Sequence, residues 1–151
     1  MSELSFRDAT AADIAAILSL IDGGAPPGVQ QFSDPNDPAY RAAFEAITAS
    51  PEHRLLVFES GGEIVGTLQI SFLPGLARRG ALRGQIESVH VRADNRGQGI
   101  GANMMAVAIR ICRERGCGMV QLTSNTARTD AHRFYRKLGF AQSHDGFKLM
   151  L

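Results

Sequence analysis

The first part of the chain has the helical spacing of apolar residues. Apolar side chains recur three and four positions apart at Ile14, Ile17, Leu18 and Ile21. This spacing predicts an amphipathic helix, and Thr10 followed by Asp13 forms a variant of the capping box at its start. Glycines and prolines after Asp22 end the helix and open a long loop over residues 23–37. A second helix is predicted over residues 38–49.

Apolar runs, several of them alternating, predict strands in the rest of the chain. We expect strands at residues 4–7, 55–59, 64–70, 85–91 and 119–123, with final pieces at 140–141 and 147–150. The segment 60–63, Ser-Gly-Gly-Glu, is typical of a hairpin turn. Further helices are predicted from the glycine-rich segment 96–101 to about Arg115, and over residues 130–138 with Gly139 at the end.

The order of these elements predicts an α+β fold with one domain covering residues 1–151. An antiparallel meander leads into one parallel crossover, which gives a mixed, mostly antiparallel sheet with helices on both faces. The 151 residues are the size of one ordinary domain. They are also enough to form a hydrophobic core without disulfides or a metal.

The composition argues against several classes of protein. Two cysteines are too few for a disulfide scaffold, and no apolar stretch approaches the ~18 residues of a membrane span. Residues 1–8 carry charges where a secretory signal has an apolar run, so we expect a cytoplasmic protein with no membrane partner. The net charge of +1 argues against a nucleic-acid partner.

The two halves of the chain carry opposite charge. Residues 1–75 contain three basic and ten acidic residues, a formal −7, and residues 76–151 contain thirteen basic and five acidic residues, a formal +8. This asymmetry favours a polyanion as the partner of the basic half and a cation as the partner of the acidic half. A chance distribution of charge over a folded surface is the alternative.

A glycine-rich segment, Gly97-Gln98-Gly99-Ile100-Gly101, follows the fourth predicted strand and opens a helix. Glycines let a ligand approach the backbone, and the free N–H groups of a helix start attract anions. Arg96 adds donors that suit phosphate oxygens. The segment lacks the Lys-Ser/Thr ending of a P-loop, and no acidic residue follows over 116–126 to hold a dinucleotide ribose. A purely structural tight turn is the other interpretation.

Three blocks of the sequence resemble the GCN5-related N-acetyltransferases, the GNAT family. Residues 89–101, VHVRADNRGQGIG, look like the family's acetyl-CoA pyrophosphate motif, although many members have proline where this chain has Ala93. Asn125 with residues 131–140, AHRFYRKLGF, resembles the second block, and residues 6–14 resemble the first strand and helix. The resemblance implies a GNAT-like fold and acetyl-CoA as the acetyl donor, with no metal.

The resemblance also implies which residues bind acetyl-CoA. The backbone amide of Val91 would bind the thioester carbonyl, and pantetheine would lie between the fourth and fifth strands, which splay apart. Asn125 would contact the pantetheine arm. The alternative for Asn125 is a structural role in a turn of the chain. The complete set of expected cofactor-binding residues is Val89, Val91, Arg96, Gly97, Gln98, Gly99, Ile100, Gly101, Ala102 and Asn125.

Glu87 is the candidate general base. An alkylamine is mostly ammonium at neutral pH, so a base that removes its proton, directly or through a water, accelerates attack. Other GNAT members place this base at the position of Gln85, where a glutamine cannot act. Strand alternation puts Glu87 on one face with Gln85, Val89 and Val91, and His90 on the opposite face unless a bulge intervenes. The alternative for Glu87 is a charge in a cross-strand pair.

Other polar residues have a functional and a structural interpretation. Tyr135 matches the family's tyrosine that donates to the departing sulfur, while a packing role is the alternative. His132 and His144 show no metal-ligand pattern. Cys112 and Cys117 are expected to be small apolar residues of the interior.

The charge pattern and the resemblance give conflicting expectations for the acceptor. Asp34, Asp37 and Glu45 favour a cationic small amine or polyamine. Residues 129–144 are also similar to the corresponding part of aminoalkylphosphonate N-acetyltransferases, whose anionic substrate would favour Arg78 or Arg79 as its partner. Both expectations remain open at this point.

The sequence thus predicts an acetyl-CoA-dependent N-acetyltransferase that acetylates the primary amine of a small molecule by direct attack on the thioester. A protein lysine or N-terminal acetyltransferase is one alternative, and a non-catalytic acyl-CoA-binding sensor is another. Dimers are common in the family that the chain resembles, so a homodimer is a further expectation.

Overall fold

The computed structural model describes residues 3–25 and 33–151 of the 151-residue chain. The chain divides into two compact units, Met1–Gln121 and Leu122–Leu151, and each is described by itself. A single domain over residues 1–151 stays a prediction. Residues 26–32 of the loop predicted over residues 23–37 lie outside the described residues.

Five strands of the first unit form one sheet, in the order in which they occur in the sequence. They are β1 (Leu4–Asp8), β2 (His53–Ser60), β3 (Glu63–Leu73), β4 (Arg83–Val91) and β5 (Met119–Gln121). The strands β1 to β4 pair antiparallel, and β5 pairs parallel with β4. The predicted mixed, mostly antiparallel sheet is therefore confirmed.

The predicted helices of the first unit are also present. They are α1 (Ile14–Gly23), α2 (Pro38–Thr48) and α4 (Ile100–Glu114), with a single additional turn, α3 (Ala77–Gly80), between β3 and β4. The capping box before α1 forms, since the Asp13 carboxylate accepts from the Thr10 backbone N–H at 2.7 Å. Among the described residues, no helix is long and apolar enough to cross a membrane.

The helices cover opposite faces of the sheet. On one face, the interior side of α4 packs so closely that a Cβ at Gly66 would lie 2.5 Å from the Met104 sulfur. On the other face, Ile17 of α1 packs against Val57, whose strand partner is Thr67. Paired residues of neighbouring strands point to the same side, so α1 and Thr67 share this second face.

The carboxyl end of α4 closes with a Schellman-type turn. Gly116 has a φ of 89°, its N–H donates to the Arg113 carbonyl at 3.0 Å, and the Cys117 N–H donates to the Cys112 carbonyl at 2.9 Å. Cys112 is fully buried, and this burial raises the pKa of its thiol to about 12. Both cysteines are free thiols, and the buried Cys112 thiol is part of the interior, as predicted.

The second unit contains α5 (Thr129–Lys137) and a tail without regular secondary structure. Gly139, with a φ of 101°, follows the helix, as the sequence predicts. The predicted strand pieces at 140–141 and 147–150 are wrong, because residues 138–151 contain no strand. A strand needs the backbone of a neighbour for its hydrogen bonds. Phe147 and Leu149 are exposed instead.

Candidate functional site

The glycine loop between β4 and α4 contains two backbone conformations that favour glycine. Gly97 has a φ of 77° and Gly99, directly before α4, has a φ of 79°. Apart from the chain neighbours, no atom of residues 3–25 and 33–151 lies within 4 Å of where a Cβ would be at either position. Close packing against another segment therefore does not explain the glycines at these two positions. They satisfy the backbone angles and leave open space at the start of the helix.

The first turn of α4 turns its backbone donors towards that space. The earliest helical bond is donated by the Asn103 N–H to the Gly99 carbonyl at 3.1 Å, so the N–H groups just before Asn103 have no intrahelical acceptor. Such a helix start attracts anions through these donors and through the helix dipole. The expected cofactor residues of this turn are Gln98, Gly99, Ile100, Gly101 and Ala102.

Arg96 joins this loop to the end of α1. Its Nε donates to the Val91 carbonyl and its Nη2 donates to the Gly23 carbonyl, both at 3.2 Å. These bonds use two of the five N–H donors of a guanidinium. The positive charge thus stays beside the open space at Gly97 and Gly99. Together with the helix start, this arrangement fits a diphosphate such as that of coenzyme A.

The pairing of β4 with β5 covers only a short stretch. It runs from Arg83 to Gln85 on β4, and the Gln121 amide donates to the Gln85 side-chain oxygen at 2.8 Å where it ends. In the described chain, the later residues of β4 have no partner on β5. From Ile86 onwards, this edge of β4 is therefore unpaired within the described part of the first unit, and it is called the open edge below.

The backbone of Val91 faces the open edge of β4. Val91 is paired with Gly66, and the next N–H, that of Arg92, donates to the Val65 carbonyl at 2.8 Å. Bonds that flank a pair in this way define it as a non-hydrogen-bonded pair. The N–H of Val91 therefore points away from β3, towards the side on which β5 lies. This is the geometry that a carbonyl-binding amide needs.

A β-bulge in β4 corrects the prediction of which side chains share a face with Glu87. Glu87 pairs with Gln69 and His90 pairs with Thr67, so two residues of β4 lie opposite the single residue between Thr67 and Gln69. Ser88, in the bulge, has a φ of 52°. Because Thr67 and Gln69 are two apart, Glu87 and His90 face the same side of the sheet.

The alternation predicted for this strand is therefore wrong beyond Glu87. Val91 pairs with Gly66, on the α4 side of the sheet, and only Gln85 of the three expected neighbours shares the face of Glu87. The sequence carried no signal for the bulge, since serine is not a residue that favours a positive φ.

Glu87 is exposed. Its side chain lies on the same face of the sheet as α1. Its cross-strand partner is the neutral Gln69, and no ion pair to Glu87 forms within residues 3–25 and 33–151. Glu87 is therefore not part of a cross-strand ion pair, which was the structural alternative for this residue. It is available to a ligand.

In the second unit, Asn125 and Tyr135 both have structural contacts. The Asn125 side-chain oxygen accepts from the Ala127 N–H at 2.9 Å, which is the chain-turning role weighed in the sequence. The Tyr135 ring lies edge-on to Phe134 and Phe140, with ring centroids 5.1 and 6.0 Å away. Burial raises the pKa of the Tyr135 hydroxyl, so this group keeps its proton at neutral pH.

The acidic residues considered for a cationic acceptor are engaged in local structure. Asp37 accepts from the Ala39 N–H at the start of α2, Asp34 accepts from the Asn36 N–H, and Glu45 pairs with Arg41 at 3.1 Å. All three carboxylates are solvent-exposed. Among the described residues, no group of three or more possible metal ligands is present.

The two arginines considered for an anionic acceptor lie in the turn α3. Arg78 and Arg79 have left-handed backbone angles, with φ of 52° and 61°, and both are exposed. Non-glycine residues rarely adopt this conformation, and strained residues of this kind are often found at binding sites. Their side chains are thus presented on a tight, basic turn between β3 and β4.

An amide that faces an unpaired strand edge, next to a helix start that fits a diphosphate, is the arrangement expected of acyl-CoA-dependent transferases. The model of the Acetyltransferase (GNAT) family matches residues 22–140. The chain therefore belongs to the GNAT family, and it is an acetyl-CoA-dependent N-acetyltransferase.

Three similar proteins illustrate this relationship. Aminoalkylphosphonate N-acetyltransferase of Salmonella typhimurium is 33% identical over 109 residues, which cover 72% of this chain and 70% of the relative. L-methionine sulfoximine/L-methionine sulfone acetyltransferase of Pseudomonas aeruginosa is 29% identical over 139 residues, covering 90% and 79%. The crystal structure of a transcriptional regulator from Bacillus halodurans has a TM-score of 0.90 and 37% identity, covering 99% of this chain and all of that one.

Proposed function

We propose that the protein acetylates the primary amine of a small molecule and that the amine attacks the thioester of acetyl-CoA directly. One observation carries this proposal. A single strand, β4, has the exposed Glu87 carboxylate on one face, has the Val91 N–H at its open edge, and leads into the helix start at Ile100. A base, a carbonyl donor and an anion site thus follow one another along 14 residues, Glu87 to Ile100.

The residues of the glycine loop would hold the diphosphate of acetyl-CoA, which supplies the acetyl group as a thioester. The donors are Arg96 and the N–H groups of the first turn of α4. Val89, Val91 and Asn125 are the proposed contacts of the pantetheine arm. The open Cβ positions of Gly97 and Gly99 support this assignment, since a ligand can approach the backbone closely there.

The proposed chemistry uses three groups of the chain. Glu87 accepts a proton from the acceptor ammonium, directly or through a water, and passes it to solvent, which leaves a neutral amine able to attack. The Val91 N–H stabilises negative charge on the carbonyl oxygen. Tyr135 donates its proton to the departing sulfur and regains one from the amine nitrogen, so that the products are an amide and a thiol.

The names of the two acetyltransferase relatives support a small acceptor. An aminoalkylphosphonate and L-methionine sulfoximine are both small molecules that carry an amine and an acidic group. By analogy we propose Arg78 and Arg79 as the partners of an acidic group on the acceptor. Asp34, Asp37 and Glu45 are the proposed contacts if the acceptor is instead a cationic amine.

The experiment is an acceptor screen that measures thiol release from acetyl-CoA. The panel contains 2-aminoethylphosphonate, L-methionine sulfone, glucosamine 6-phosphate, spermidine, and a lysine-containing peptide. We expect release with at least one small amine and none with the peptide. Release with the peptide alone would favour a protein acetyltransferase and overturn the proposal.

A non-catalytic sensor is the second candidate function, because one similar structure is that of a transcriptional regulator. A sensor would bind acetyl-CoA in calorimetry and release no thiol with any amine of the panel. The Glu87 carboxylate argues for turnover, since a sensor has no need of an exposed base beside the thioester site. The screen and the calorimetry together distinguish the two functions.

A further inference from the structure

The β4 bulge brings a second polar group to the face that holds the proposed base. His90 is opposite Thr67 and Glu87 is opposite Gln69, which are alternate residues of β3. Alternate residues of a strand are roughly 6.6 Å apart, so the two side chains occupy neighbouring rows on one face. Without the bulge, His90 would lie on the α4 side of the sheet.

The imidazole of His90 lies against the end of α1, where the backbone makes room for it. A Cβ at Gly24 would be only 2.4 Å from His90 Nδ1 and 2.7 Å from Cε1. Gly24 has a φ of −96°, an angle that any residue can adopt. Glycine is therefore required at this position by the space that the His90 ring occupies, not by the backbone angle.

The end of α1 beside the His90 ring is also bonded to the glycine loop. The carbonyl of Gly23, next to Gly24, is held by Arg96 of the glycine loop. The end of α1 is thus fixed to the loop that would bind the diphosphate. His90 lies against this anchored end and occupies the row next to Glu87. A small acceptor that reaches Glu87 on this face would also meet the imidazole.

We propose that His90 is a specificity-determining residue of the acceptor site, whose imidazole hydrogen-bonds a small primary amine substrate and holds its nitrogen beside Glu87. This inference rests on the proposed function, because it requires a small acceptor at Glu87. An imidazole nitrogen can take part in a hydrogen bond as donor or as acceptor, and the bond to the substrate adds to affinity and orients the nucleophile. The imidazole itself transfers no group.

The kinetic test compares substitutions that remove the imidazole with one that displaces it. With the most active amine of the screen, His90→Leu is expected to lower kcat/KM for the amine about threefold to tenfold, the value of one hydrogen bond. His90→Gln, which retains hydrogen-bonding groups, should recover part of this loss. Gly24→Ala should have an effect similar to His90→Leu, because its Cβ displaces the ring. The Kd for acetyl-CoA should stay unchanged in all three variants.

Gly23→Ala is the matched control for Gly24→Ala. In the part of the chain that the structure describes, a Cβ at Gly23 would meet no atom within 4 Å beyond its chain neighbours and its own helix backbone, so this variant should keep the kinetics of the unmodified enzyme. If His90→Leu and Gly24→Ala are folded and leave kcat/KM for the amine unchanged, the inference is overturned. An equal loss of acetyl-CoA affinity would also overturn it, since that result indicates a structural role for the ring.

A binding measurement decides the matter even if the enzyme turns over none of the amines. The ring signals of the four histidines are followed by NMR in the CoA-saturated protein, and His90→Gln assigns the signal of interest. Titration with 2-aminoethylphosphonate, and then with spermidine, should shift the His90 signal and leave that of His53, which pairs with Ser71, in place. No shift with either amine would refute the role of His90, whereas absent turnover alone would refute only the proposed function.

Discussion

Gly99 and Gly116 lie at opposite ends of α4 with the same unusual backbone conformation. Their φ angles are 79° and 89°, and among the described residues a Cβ at either position would meet no atom within 4 Å except those of its chain neighbours. The two glycines thus carry the same intrinsic strain if substituted. They differ in their neighbours, because Gly99 precedes the free N–H groups of the helix start and Gly116 ends the helix.

Gly99→Val is expected to abolish binding of acetyl-CoA. The left-handed conformation costs a β-branched residue about 1–2 kcal/mol of stability, and the new side chain would fill the space through which a diphosphate approaches the backbone. We expect the Kd measured by calorimetry to rise by more than about tenfold, which corresponds to 1.4 kcal/mol.

Gly116→Val is the control for this loss. It should destabilise the fold by a similar amount, measured by urea denaturation, and leave acetyl-CoA affinity unchanged. If both variants lost affinity equally, strain in α4 would explain the effect. If Gly99→Val bound normally, the glycine loop would not be the diphosphate site.

Glu87→Gln is expected to lower turnover with little effect on the fold. The carboxylate is exposed and forms no ion pair among the described residues, so its loss should not cost stability. Loss of a general base lowers kcat about 100-fold or more. The deficit should shrink as pH approaches the pKa of the amine, because the substrate then arrives deprotonated.

The control for Glu87→Gln is Glu114→Gln, which removes an exposed carboxylate from the last turn of α4, where it pairs with Arg110. This variant should retain full kcat at every pH. A Glu87→Gln enzyme with the same pH–rate profile as the unmodified protein would show that the amine loses its proton elsewhere.

Tyr135→Phe is expected to lower kcat about tenfold and to leave acetyl-CoA affinity intact. A thiolate of ordinary basicity leaves readily, so the proton donor should matter less than the carbonyl donor, for which losses of about 100-fold or more are typical. Burial raises the pKa of Tyr135, so the tyrosine-dependent part of the rate should persist to a pH above the ordinary tyrosine pKa of about 10.

Tyr40→Phe, at the chain's other tyrosine, is the control for this substitution. It removes an equivalent hydroxyl from α2 and should change neither kcat nor Kd. If Tyr135→Phe were as active as Tyr40→Phe, the contacts of Tyr135 with Phe134 and Phe140 would be its whole role.

The sequence was sufficient to predict the elements whose pattern is local. Periodicity, the Thr10–Asp13 cap and the terminal glycines predicted the helices to within about two residues, because these signals act within one or two turns. Residues 147–150 show the limit of local patterns as predictors. Their apolar pattern was read as a strand, but strand formation also requires a partner backbone, which a local pattern does not specify.

The candidate site was predicted in its parts but not in its arrangement. The glycine loop and Glu87 followed from motif and chemistry. The shared face of Glu87 and His90 did not, because it depends on a bulge at Ser88 that one unfavourable backbone angle creates. Gly24 was read only as a helix stop, since the space it leaves for His90 is a contact between distant parts of the chain.

Asp13 supports the start of α1 and makes the stability of the fold depend on pH. Its carboxylate accepts two bonds from Arg7, at 2.7 and 3.0 Å, and its side chain is only 9% exposed. The Arg7 guanidinium, together with the Thr10 N–H, lowers the pKa of Asp13 to about 2 from 3.8. A shift of this size corresponds to about 2 kcal/mol of folding free energy.

Asp13→Asn should therefore lower the free energy of unfolding by about 2 kcal/mol at pH 7, measured by urea denaturation. Because the pKa is lower in the folded state, the contribution is complete above the unfolded value of 3.8 and disappears as pH falls through about 2. The difference between the two proteins should stay constant from pH 7 to pH 5 and shrink below pH 4. Asp8→Asn removes a more exposed carboxylate paired with Arg54 and should cost less than about 1 kcal/mol. Equal losses in both variants would contradict the special role of Asp13.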